Sequence, residues 1–62
     1  MTNLKSIRKQ AKIKQKVVAE MLGVTAATVR NWETGFSMPK LNQIAQMAKI
    51  YDVPVETLVK EA

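Results

Sequence analysis

Arg30 and Asn31 stand side by side near the middle of the chain, and both side chains can read the edge of a nucleobase. A guanidinium can donate two parallel hydrogen bonds to guanine O6 and N7, and a carboxamide can pair with adenine N6 and N7. The rest of the reactive inventory is thin. Histidine and cysteine are absent, which removes the commonest general base, the commonest metal ligand and any disulfide or thiolate chemistry. The five carboxylates, Glu20, Glu33, Asp52, Glu56 and Glu61, are scattered, and no Ser or Thr has an evident base. No glycine-rich loop could cradle a phosphate. The expectation is a chain that is not an enzyme and takes no cofactor, metal or small-molecule substrate.

The charge points to a polyanion. Ten Lys and Arg face five Asp and Glu, for a net +5. Residues 1–40 hold eight of the basic groups and two of the acidic ones, whereas residues 41–62 hold two and three. One part of the molecule therefore carries a positive field and the other is nearly neutral. A solvated lysine-rich face would give the same count, so the charge needs a structural context.

That context must come from a small domain. At 62 residues the chain reads as one domain, 1–62, near the lower size limit of an unaided core. Apolar residues make up 47% of it, too many for a disordered tail. Uninterrupted apolar runs are only a few residues long, so no membrane span or secretion signal is expected. The natural location is the cytoplasm of a bacterial host, at the nucleoid.

The apolar spacing is helical nearly throughout, and no segment alternates with period two, so the class is all-α with five short helices. Leu4, Ile7 and Ala11 mark the first, which Asn3, or Thr2 just before it, can cap. Residues 12–14 form a short connection without a strong breaker. Val18, Ala19 and Leu22 mark a second helix over 15–22, closed by Gly23. Thr25 is a good N-cap for a third over 26–33, with Val29 and Trp32 inside. Residues 34–38 form a loop, and Pro39 suits the first turn of a fourth helix. Its inward face is Leu41, Ile44, Ala45, Ala48 and either Ile50 or Tyr51. Residues 52–54 break it, and a fifth helix over 55–60 presents Val55, Leu58 and Val59.

Residues 15–34 fit a helix-turn-helix. Ala19 is small where two helices cross, Gly23 makes the turn and Val24 fills the inside of the corner. Leu22, Val29 and Trp32 pin the second helix of the pair to the core, so that it protrudes and can enter a major groove. With Val29 and Trp32 inside, Ala26, Ala27, Arg30 and Asn31 face outward as candidate base contacts. The two alanines can offer only methyl groups, to a thymine methyl.

The segment resembles the helix-turn-helix of the phage repressor and Cro family, also called the XRE family. The likeness continues in Arg8, in Gln15, in Trp32-Glu33 with Gly35, in Pro39 and in Val53-Pro54-Val55 with Leu58, and covers about residues 4–60. It implies a lambda-repressor-like five-helix fold and a small transcriptional regulator, a repressor by preference, that binds double-stranded DNA. It implies that Gln15 meets a phosphate at the start of the second helix, and that Arg8 and Glu33 form a structural ion pair. Polar side chains often stand in relatives where this chain has Ala26 and Ala27, which leaves Arg30 more of the readout. Thr25, at a helix start, and Lys14 and Lys16, beside Gln15, are further phosphate candidates, as are Thr34, Ser37 and Lys40 around the loop. Lys5, Lys9 and Lys12 read as solvated or as acting at long range.

A second copy is a possible partner. Two-fold symmetry would match a pseudopalindromic operator with half-sites about 34 Å apart. Apolar groups near Val53, Val55 and Val59, or the loop with Phe36 and Met38, could form a weak homodimer contact. Phe36 could equally lie on a sugar-phosphate backbone, and Met21, Met38 and Met47 are core filler or interface. The competing reading is a protein-interaction module, such as the antitoxin half of a toxin–antitoxin pair. An apolar outer face on the third helix would mark it.

Overall fold

A computed structural model describes residues 3–59. Five α-helices follow one another in it: α1 (Leu4–Gln10), α2 (Gln15–Leu22), α3 (Ala26–Thr34), α4 (Leu41–Tyr51) and α5 (Val55–Val59). No strand occurs among the described residues. The class and the helix count agree with the apolar spacing. No helix among the described residues is long and apolar enough to cross a membrane.

The core draws on every helix. Leu4, Val18, Ala19, Val29, Trp32, Ile44, Met47, Ala48, Tyr51 and Leu58 are buried together, with Ile7, Leu22, Val24, Val53 and Val55 packed around them. Burial of one large apolar side chain is worth about 1.5–3 kcal/mol. Eight of the ten, all but Ala19 and Ala48, are side chains of that size, and they are what the described residues set against the entropy of folding.

Three helix ends close with the same device. Left-handed residues at Lys12 (φ 61°), Gly23 (φ 72°) and Asp52 (φ 58°) turn the chain. At each, the amide of the next residue donates back to a carbonyl five positions earlier: Ile13 to Arg8, Val24 to Ala19 and Val53 to Ala48. This is the Schellman pattern, and it satisfies carbonyls that a helix end leaves bare. Only the Gly23 instance carries glycine, the usual residue for that backbone. Lys12 is the stop that the connection after α1 lacked in the sequence.

Several expectations need correction. The Asn3 side chain does not cap α1; its Nδ2 donates to the Thr57 carbonyl at 2.5 Å, tying the start of the chain to α5. Thr2 and Lys60 lie outside the described residues. Helix α3 runs one residue further than expected, to Thr34. Pro39 is buried ahead of α4 and not in its first turn, which begins after Lys40. The Lys40 amide donates to Gln43 Oε1 at 2.8 Å, half of a capping box, since a lysine side chain has no acceptor to return the bond.

Leu41 is 75% exposed, not inward. It shares the spacing of Ile44, Ala48 and Tyr51, but as the first residue of α4 it extends that stripe one turn beyond the core. Tyr51 is buried and Ile50 half-buried, so the helix uses both. Val59 is largely exposed while Leu58 is fully buried. Met47 is core, whereas Met21 and Met38 lie at the surface.

Candidate nucleic-acid interface

The α2–α3 corner rests on two small residues. Ala19 is buried, and Gly23 takes the left-handed conformation that lets the chain double back. Thr25 then accepts the Thr28 amide at 3.2 Å on its Oγ1, capping α3. The Thr28 hydroxyl lies 2.9 Å from the same oxygen. Sequence reading assigned Thr28 no role; a second hydroxyl three residues after an N-cap was the signal for it.

Helix α3 has two sharply different sides. Val29 (1% exposed), Trp32 and Glu33 are buried, and Ala26, Ala27, Arg30 and Thr34 are exposed. Asn31 is half-exposed at the edge of that outer side. The side chain of Thr34 donates to the Asn31 carbonyl at 3.3 Å, which leaves the Asn31 carboxamide itself uncommitted to that bond. The outer face is therefore short, polar at Arg30 and Asn31, and low in relief at the two alanines. It is not the apolar surface of a docking helix.

Behind this face lies a buried polar network. Arg8 Nε donates to Glu33 Oε2 at 2.6 Å and Nη2 to Oε1 at 3.2 Å, in a two-point contact between α1 and the end of α3. Arg8 Nη1 donates to the Ile13 carbonyl at 2.9 Å. That carbonyl is in place because Lys12 turned the chain. The pair expected from the sequence is present, and Gln15 joins it: its Nε2 donates to Glu33 Oε1 at 2.8 Å. Gln15, expected only at a phosphate, thus has one amide hydrogen committed inward and one left, since a carboxamide nitrogen carries two. Tyr51 packs close to this network. Burial, then the Glu33 charge, pushes its hydroxyl up to about 12, with Arg8 partly offsetting.

The phosphate candidates surround the α2 start and the loop after α3. Lys14, Lys16, Thr25, Thr34, Ser37 and Lys40 are all exposed. Lys14 precedes α2 in an extended conformation and supplies no side-chain cap, so the first amides of α2 keep donors for an anion or water. Thr25 accepts the α3 amide on its oxygen and still has a hydroxyl hydrogen to donate. Phe36 is 83% and Met38 66% exposed in the loop. The Ser37 amide donates to the Asn31 carbonyl at 3.2 Å, folding that loop back along α3.

Comparison with known proteins agrees with this geometry. A family model described as helix-turn-helix matches residues 4–58. The chain is 31% identical over 61 residues to the cryptic phage CTXphi transcriptional repressor RstR of Vibrio cholerae, covering 98% of this chain and 55% of that protein. It is 34% identical over 58 residues to the HTH-type transcriptional regulator YqaE of Bacillus subtilis (strain 168), covering 94% of this chain and 50% of the other. The chain thus spans about half the length of the curated relatives it matches. With the family model running from the first described helix into the last, the chain belongs to the XRE-type helix-turn-helix family.

Proposed function

We propose that this chain binds double-stranded DNA in a sequence-specific manner and regulates transcription, as a repressor by preference. Helix α3 enters the major groove. Arg30 makes the principal base contact, to guanine, and Asn31 an adenine contact. The methyls of Ala26 and Ala27 pack on thymine. Gln15, Lys14, Lys16, Thr25, Thr34, Ser37 and Lys40 hold the flanking phosphates. One observation carries the reading: Val29 and Trp32 are buried on one side of α3 while Arg30 is exposed on the other. That polar outer face argues against a protein-docking module. The relatives are named as a transcriptional repressor and a transcriptional regulator. Such a protein works in the cytoplasm, on the nucleoid.

Pairing of two copies on a pseudopalindromic operator belongs to the same reading. The exposed Phe36 and Met38 offer more to such a contact than the other candidate surface, where Val59 is exposed but Val53 and Val55 are half-buried against the protein's own core. The contact is small, so it forms on DNA and not between free monomers.

The test is selection from random duplex DNA at low salt. Enrichment of a short motif containing guanine supports sequence-specific binding. Duplex binding without enrichment, or no binding at all, contradicts it.

A further inference from the structure

Glu33 has more partners than an ion pair requires. Its Oε2 is taken by Arg8 Nε, and its Oε1 is shared between Arg8 Nη2 and Gln15 Nε2. Arg8 in turn holds the Ile13 carbonyl, two residues before Gln15. A closed ring therefore joins α1, the α1–α2 connection, the first residue of α2 and the last turn of α3. The Glu33 side chain is only 3% exposed, so the ring is shielded from water. Gln15 is half-exposed at its outer edge.

On the reading above, in which Gln15 meets a phosphate, we propose that Glu33 is a positioning residue for DNA binding that acts through Gln15. A free glutamine gives up several rotatable bonds when it binds a phosphate. This one has surrendered them on folding, because a fixed carboxylate already holds one of its two amide hydrogens. A carboxamide is planar, so fixing one hydrogen fixes the direction of the other. It emerges at the start of α2, where Lys14 leaves the helix amides uncapped and Lys14 and Lys16 are exposed. The same carboxylate belongs to the last turn of α3, so one group sets the phosphate donor relative to the base-reading helix. That is preorganisation of a contact by a residue that never touches DNA.

The experiment uses the duplex enriched by selection, with single phosphates replaced by neutral methylphosphonates. Wild-type protein is expected to lose about tenfold in affinity at the phosphate Gln15 meets. That phosphate is identified because Gln15→Ala abolishes the loss there. In Glu33→Gln the loss at that phosphate alone is expected to shrink below about threefold, with losses at other phosphates retained. Retention of the full loss in Glu33→Gln overturns the proposal while leaving Gln15 at the phosphate. A wild-type protein that binds the duplex but shows no Gln15-dependent phosphate overturns it too, and leaves the DNA-binding reading standing. Failure to bind any duplex removes both. Nuclear magnetic resonance of the wild-type side-chain amide needs no variant: in the free protein one Gln15 Nε2 proton is expected to be protected from solvent exchange by Glu33, and the other, unprotected there, to move on DNA addition. Two Nε2 protons that both exchange as fast as those of an exposed glutamine overturn the proposal.

Discussion

The guanidinium of Arg8 and the carboxylate of Glu33 meet at 2.6 Å with side chains only 9% and 3% exposed, so α1 and the last turn of α3 share a buried charge pair. Removal of one member strands the other in a place that water barely reaches. Glu33→Ala is expected to cost about 3–5 kcal/mol. That is comparable with the whole stability of a domain this size, at about 0.05–0.15 kcal/mol per residue. The double replacement Arg8→Met with Glu33→Met leaves no orphan charge and is expected to melt above either single variant. Thermal unfolding followed by circular dichroism measures the order; a double variant no better than the worse single one contradicts the account.

Backbone strain provides a cleaner stability test, because it is separate from packing. Lys12 pays for a left-handed conformation that glycine adopts freely, so Lys12→Gly is expected to gain about 1 kcal/mol. Gly23→Ala runs the other way. A Cβ there meets no atom within 4 Å, so the loss of about 1 kcal/mol is conformational alone. For about 60 residues each should move Tm by about 4–8 °C, in opposite directions.

Tyr51 links stability to pH. Its hydroxyl ionises near 10 in an unfolded chain and at about 12 in the folded one. The folded state thus resists the charged form. Its contribution is complete below pH 10 and disappears as pH rises from 10 to 12, for a loss of about 2–3 kcal/mol at about 1.4 per unit. Unfolding free energies of wild type and Tyr51→Phe, compared over pH 8–12, should diverge only above 10. Parallel curves would show that the tyrosine plays no such part.

Lys14 and Lys16 should act on all sequences alike. Each phosphate neutralised contributes about 0.9 to the slope of log affinity against log salt. Lys14→Ala and Lys16→Ala are each expected to flatten the slope by about that amount without changing the preferred motif. A selective loss at one base pair would move that lysine from the backbone to the bases.

The helices and most of the inward face were legible because apolar spacing at three and four residues is a direct image of helix packing, as with Val18, Ala19, Val29 and Trp32. Leu41 escaped because spacing records which side of a helix a residue takes, not whether the core reaches that far along it. Lys12 escaped because a left-handed lysine carries no local mark; only hydrogen bonds at the end of α1 require it. Arg8 with Glu33 came from family likeness, since two charges 25 positions apart carry no periodic signal. Their third partner, Gln15, became visible only once α2 was set beside the end of α3.

The central claim is that Arg30 reads a guanine, and selection from random duplex DNA repeated with Arg30→Ala tests it most directly. The wild type should enrich a motif with one strongly preferred guanine. The variant should retain low-salt duplex binding but lose about 1–3 kcal/mol of preference at that base pair. An Arg30→Ala protein that enriches the same motif with the same guanine preference would contradict the account.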